Sequence, residues 1–483
     1  MMELVRRSSF MSNRRSRPMT CTRVATAWLL ASATGCAPRA TDVVLDTAGG
    51  GTASDTGDDP DEADDLGNSD SDDGSDTDDE GADGSTGEPA ECEEWTQLIG
   101  GQGDQRSKGV AIVDGQVVVS GWERRGPSDV PDSEDMFVAG FDRGGAMQWM
   151  QQAAEMSDER ALALAPGPDD TFFVAGPREV LNPGNPVAHL GSFLTRHGLD
   201  GEVLDGISFP STPPFGHPIE VRSVAADPSG NVYAVGWSAG PVEGVEVGSG
   251  DAFLFRYGLS GEVDFVEVIG SPESASASAV AIAPNGDVIV AGTTSGDLGG
   301  GGPIGGNDFW VARYEPDGSR VWLRTMGTTA NDQVEAIAVG ADGSIHLAAV
   351  TGGSWPGEVD GPADDLLVLR LDADGEEQSA LQYSGDNEIV IPSAIGLDSV
   401  GNLYVLSWVL EPDGNQRDLE LIEVDPAGEI AWVRQLGTDD DDDAGGLAVA
   451  GEEDVYVSMS FSGALDGTDP DGYDTALIRL CGP

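Results

Sequence analysis

Asp308-Phe309-Trp310-Val311-Ala312-Arg313-Tyr314, Glu315-Pro316-Asp317-Gly318 and Val321-Trp322-Leu323-Arg324-Thr325-Met326-Gly327 read as two apolar strands joined by a tight turn. Two more strands follow at 335–339 and 344–350, split by Gly340-Ala341-Asp342-Gly343. A segment of roughly 55 residues on this plan recurs seven times between residues 95 and 480. Four short strands and tight turns make one propeller blade, and seven blades close a disc. The expected fold class is therefore all-β, a seven-bladed β-propeller of four-stranded antiparallel blades. The chain divides into a signal segment (1–35), a linker (36–91) and the propeller (92–483).

Three marks align the units. An Asp opens the third strand at Asp135, Asp251, Asp308, Asp365, Asp418 and Asp474, whereas the second unit has Gly191-Ser192 there. A turn closing on Gly follows, as a tight hairpin requires. Four residues past that Gly stands an aromatic at Trp149, Phe265, Trp322 and Trp432, with Asp205 and Ser379 as exceptions. The expectation is that the aromatic fills the outer gap between wedge-shaped blades and that the Asp accepts backbone N–H groups at a strand start.

With Gly230-Asn231-Val232-Tyr233 and Gly401-Asn402-Leu403-Tyr404 in the second strand, these marks resemble the bacterial seven-bladed β-propeller repeat (SBBP) family. The resemblance covers 95–480, is strongest in the third to fifth units and weakest in the second. It implies a secreted or envelope-attached propeller and no enzyme activity, because the family's defining residues are structural.

The composition carries 86 acidic against 24 basic residues, a formal charge of −62. Such a field repels phosphate backbones, so nucleic acid is excluded as a partner, while cations and basic polymers are attracted. Lys108 is the only lysine.

The first 23 residues hold Arg6, Arg7, Arg14, Arg15, Arg17 and Arg23 and precede a short apolar run, 24–33, and Thr34-Gly35-Cys36. This is the layout of an export signal, and the run is too short to span a bilayer. The placement of Cys36 resembles the lipobox of bacterial lipoproteins, which implies that Cys36 is diacylated and becomes the new N-terminus. Ala37 in place of Asp points to the outer membrane of a Gram-negative envelope. Residues 42–91 hold 19 acidic residues and no Lys or Arg. The segment is expected to be a disordered acidic tether, since it cannot bury enough apolar surface to offset its ordering entropy. Its Asp-rich stretches only loosely echo calcium loops.

With Cys21 removed and Cys36 lipidated, Cys92 and Cys481 remain in an oxidising compartment. On the repeat alignment Cys481 corresponds to Glu315 and Cys92 to Ser319, two positions flanking one hairpin turn. A Cys92–Cys481 disulfide is therefore expected. The N-terminal strand from Trp95 would supply the outer strand that the last unit lacks.

Candidate chemistry is sparse. Gly236-Trp237-Ser238-Ala239-Gly240 matches a nucleophile elbow, but that motif works only on a strand-to-helix turn beside a His and an acid. Here it is read as an accident of the repeat. His189, His197, His217 and His346 lack metal-ligand spacing. The long connections, 122–134, 177–190, 237–250, 293–307, 351–364, 408–417 and 461–473, should emerge on one face, where binding residues concentrate. Trp122, Trp237 and Trp408 stand at matching loop roots, either as an aromatic platform for a sugar or peptide or as packing at the blade rim. The run Asp439, Asp440, Asp441, Asp442 and Asp443 on the same face is either a solvated loop or a cation site, calcium being the one cofactor entertained.

The expected function is a monomeric, lipid-anchored, non-enzymatic binding or scaffolding module with a protein or polysaccharide ligand. The rivals are an envelope polysaccharide lyase or glycoside hydrolase using loop-face carboxylates, and a purely structural surface protein.

Overall fold

A computed structural model describes residues 92–482 apart from 101–102, 126–133, 154–156, 183–184, 210–217, 243–244, 246–249, 271–272, 299–303, 359–363, 386–388, 411–415, 452–453 and 466–471. Cys36 and the acidic tether lie outside the described residues. The strands form seven antiparallel sheets, each a meander from an inner to an outer strand. Blade 4 is the pattern: Ala275–Ile282, Val288–Thr294, Asp308–Tyr314 and Arg320–Met326. Blade 5 runs Asp332–Val339, Ile345–Thr351, Asp365–Leu371 and Glu377–Tyr383, starting three residues before the strand read from sequence. In blade 2 the inner strand is split into Ser157–Glu159 and Ala163–Pro166.

Seven buried apolar clusters lie one at each blade–blade interface. Strand Asp365–Leu371 shows why its sequence is nearly all apolar. Leu367, Leu369 and Leu371 enter the core shared with blade 4, while Leu366 and Val368 enter the core shared with blade 6. A strand whose two faces are both buried has no polar face to alternate with.

The inner strands touch their neighbours all the way round, blade 7 meeting blade 1, so the ring is closed. Trp95–Ile99 pairs antiparallel with Asp474–Leu480 and completes blade 7. Cys92 and Cys481 are disulfide-bonded, with Cα atoms 5.8 Å apart and a separation of 389 positions in sequence. Trp95 Nε1 donates to the Arg143 carbonyl in blade 1 at 3.1 Å.

The repeat marks do what the sequence suggested. A Cβ added to Gly145, Gly201, Gly318 or Gly375 would strike Trp95, Trp149, Phe265 or Trp322 of the preceding blade. Each of these glycines also has positive φ, so the turn needs both its backbone freedom and its missing side chain. Asp308 accepts from the N–H groups of Ile304 (2.8 Å) and Gly305 (3.1 Å). In blade 2, where the Asp is missing, the Ser192 hydroxyl donates to Ile219 O (2.8 Å) and accepts from Val221 N (3.0 Å) in blade 3.

Candidate functional site

An antiparallel meander sends its first and third turns to one face and its second turn and exit to the other. The first face carries only tight turns, and the second carries the long connections. One of these differs from expectation: most of 177–190 is ribbon, because strands Thr171–Asn182 and Asn185–Gly198 continue pairing as far as Asn182↔Asn185.

Six inner strands are bulged at one level, between Ser107/Gly109, Val221/Ser223, Ala277/Ala279, Val334/Ala336, Pro392/Ala394 and Ala444/Leu447. The bulge fixes the register of the tryptophans. Gly121, Gly236 and Ser407 pair with the residue before it, and Trp122, Trp237 and Trp408 come next. The three therefore occupy equivalent positions near the long-connection face, each half-buried. Being in blades 1, 3 and 6, they stand at three separate places and do not stack on one another among the described residues. Trp408 packs on the core between blades 6 and 7. Trp237 Nε1 donates to Glu220 Oε2 at 3.2 Å.

The acidic run is divided by its neighbours. Asp439 and Asp440 are exposed. Asp441 Oδ1 accepts from Arg417 N at 3.1 Å. Asp442 is fully buried at the head of the inner strand Asp442–Ala450 and accepts from Thr438 N at 2.7 Å. Burial raises its carboxyl to about 6 in spite of the Thr438 hydrogen bonds, with Asp418 and Asp441 adding repulsion. Asp443 pairs with Arg106 and, at 2.7 Å, with Arg417, and Arg106 lies over the Tyr473 ring, 3.9 Å from its centroid. Among the described residues no group of three or more His, Cys, Asp or Glu is placed to hold a metal ion.

Ser238 is buried, donating to Gly240 O (2.8 Å) and accepting from Gly240 N (3.2 Å). Thr294 with Gly296 and Thr351 with Gly353 make the same turn in blades 4 and 5. The elbow-like motif is thus one copy of a repeated hydroxyl turn. His197 stacks on Phe172 and has Gly201 O 3.0 Å from Nδ1, while His346 lies 3.0 Å from the Ser344 hydroxyl. The side chains of His189 and His217 fall outside the described residues.

One constellation escaped the sequence reading. The bulges of blades 1, 3 and 5 carry Lys108, Arg222 and Glu335, with Ser278 and Ser393 at those of blades 4 and 6. The signal for it was the solitary lysine.

No family model matches the chain. A segment is 29% identical over 154 residues to the regulatory protein FlaEY of Caulobacter vibrioides, covering 29% of this chain and 16% of that protein. Among solved structures, a puromycin hydrolase matches at 15% identity and a TM-score of 0.45, over 78% of this chain and 52% of that one. A PL25 ulvan lyase matches at 11% and 0.46, over 80% and 96%. The propeller domain of the Trilobed protease from Pyrococcus furiosus matches at 13% and 0.41, over 74% and 89%.

Proposed function

We propose that this chain is an SBBP-type lipoprotein of a Gram-negative envelope, acylated at Cys36 and held at the outer membrane. Its propeller acts, as a monomer and without a cofactor, as a non-enzymatic binding or scaffolding module for a protein or polysaccharide. The observation that carries this reading is the asymmetry of the disc. The first and third turns of the blades are tight and lie on one face, while the long connections and the register-matched Trp122, Trp237 and Trp408 share the other. Half-buried indoles at loop roots give a rigid scaffold large amphipathic contacts at low entropic cost.

The test is a glycan and peptide array probed with the full chain carrying Cys36→Ala, which removes the acyl site. Specific hits weakened by Trp237→Ala support the reading. Turnover of an arrayed glycan would replace it with the enzyme reading, and silence would leave a structural surface protein.

A further inference from the structure

The inner strands form the wall of the axial channel, and at their shared bulge level the chain turns residues out of the blade sheets. Lys108 is largely buried but reaches solvent between buried Ser107 and Gly109, as Ser278 does between Ala277 and Ala279. Arg222 and Glu335 are partly buried at the equivalent places. The inner strands are packed on both sides, so the space these side chains meet is the channel.

Their polar valences are largely unused among the described residues. The Lys108 ammonium has three N–H donors and gives one, to Ala444 O at 3.1 Å. Arg222 commits Nε to Glu220 Oε1 at 2.9 Å and leaves the far edge of its guanidinium open. Glu335 has no hydrogen-bond partner among the described residues. Burial lowers the Lys108 ammonium, with Arg106 and Arg417 pushing the same way and Glu335 opposing. Burial raises the Glu335 carboxyl, opposed by Arg222 and Lys108. Blades 1, 3 and 5 are not neighbours, so these charges act on one another across the channel, yet among the described residues no direct ion pair joins them. The other charged groups at this level are already paired, Arg106 and Arg417 on Asp443 and Glu220 on Arg222.

A charge that is only partly hydrated gains from a partner. A simple anion would meet Lys108 and Arg222 but sit beside Glu335, and a simple cation would do the reverse. We propose that the axial channel binds a small zwitterion, its carboxylate held by Lys108 and Arg222 and its ammonium by Glu335. This site is distinct from the long-connection face and does not depend on what that face binds.

Calorimetry on the full Cys36→Ala chain tests it with glycine, 4-aminobutyrate and 6-aminohexanoate as rulers of charge separation. Butyrate and butylamine are the single-charge controls. Reductive methylation with labelled formaldehyde places one side-chain probe in the protein, on Lys108, and reports where binding occurs. The expected result is saturable binding of at least one amino acid of the series, with a shift of the Lys108 methyl resonance. Both controls should bind about tenfold or more weaker, the loss of one charge-assisted contact. Glu335→Gln and Arg222→Gln should each weaken it by a similar factor while the folded spectrum is retained. Butyrate binding as tightly as 4-aminobutyrate, binding without a Lys108 shift, or no binding by any probe would each overturn the proposal.

Discussion

Arg313 Nη1 donates to the carbonyl of Ala373 across 2.8 Å and so ties the third strand of blade 4 to a turn of blade 5. The same guanidinium holds Asp287 of its own blade through Nε (2.6 Å) and Nη2 (2.5 Å). Arg256 to Pro316 O (2.7 Å) and Arg370 to Pro426 O (3.2 Å) repeat the link one blade before and one after. Arg256, Arg313 and Arg370 each stand five residues after the Asp that opens the third strand, so the link is itself a repeated one. Its planar fork reaches two partners at once. Arg313→Ala should therefore destabilise the ring by about 1.5–3 kcal/mol in denaturant melts. Arg313→Lys should recover only part of the loss, and full recovery by Lys would show that charge alone matters.

The Cys92–Cys481 bond closes a loop between two positions 389 apart in sequence. In the chain-entropy account such a crosslink stabilises by up to about 5–6 kcal/mol. The Cys92→Ser/Cys481→Ser double variant should melt earlier, and amide exchange should rise first in Trp95–Ile99, whose hydrogen bonds join the two ends. Uniform exchange across all blades would instead mean that the last blade is not the point of opening.

Asp442 and His346 give opposite pH slopes. Asp442 rises from 3.8 to about 6, so between those values the folded protein holds a proton that the unfolded chain has lost. Stability from this group is full below that window and falls as pH rises through it. Asp442→Asn should flatten that slope and raise stability at pH 7 by on the order of 2 kcal/mol. His346, buried and beside Arg370, is lowered from 6.5 to about 4. Its contribution is full above pH 6.5 and is lost as pH falls towards 4, so His346→Gln should reduce acid lability. Each variant minus wild type, followed by melts from pH 4 to 7, isolates one group. A pH-independent difference for either would contradict its assignment.

Ser238→Ala should leave any esterase activity unchanged and cost about 1 kcal/mol, the value of one hydroxyl turn. Ser238→Thr should be nearly neutral, since Thr294 and Thr351 fill the same role. Loss of activity in a folded Ser238→Ala protein would make Ser238 a nucleophile after all.

Cys36→Ala should abolish labelling by an acyl probe in cells, whereas the parent chain is labelled. Equal labelling of both would remove the lipid anchor.

The ring was legible because its marks are local: a turn Gly, an aromatic four residues on and an Asp at a strand start each survive as a pattern in the chain. The disulfide was legible because the repeat aligned Cys481 and Cys92 to two sides of one turn. Trp122, Trp237 and Trp408 were correctly seen as equivalent, but equivalence in a ring places residues in different blades, not together. The Lys108, Arg222 and Glu335 constellation could not be read in this way. A bulge shifts the facing of a single residue without changing the apolar pattern around it, and the three lie more than 100 residues apart in pairs. The extended ribbon of blade 2 was hidden because Pro177 and the Pro183-Gly184 pair read as loop.

The hairpin position of the disulfide also fixes where the chain enters the disc. Cys92 precedes the outer strand of blade 7 and Cys481 follows its third strand, so both sit at the rim of the tight-turn side. Whatever pulls on the polypeptide ahead of Cys92 pulls from that rim. Such a load reaches Cys92 and its disulfide partner Cys481 before it reaches the hydrogen bonds of Trp95–Ile99. If the chain is anchored through Cys36 as proposed, its tether joins the disc on the tight-turn side, opposite the long connections.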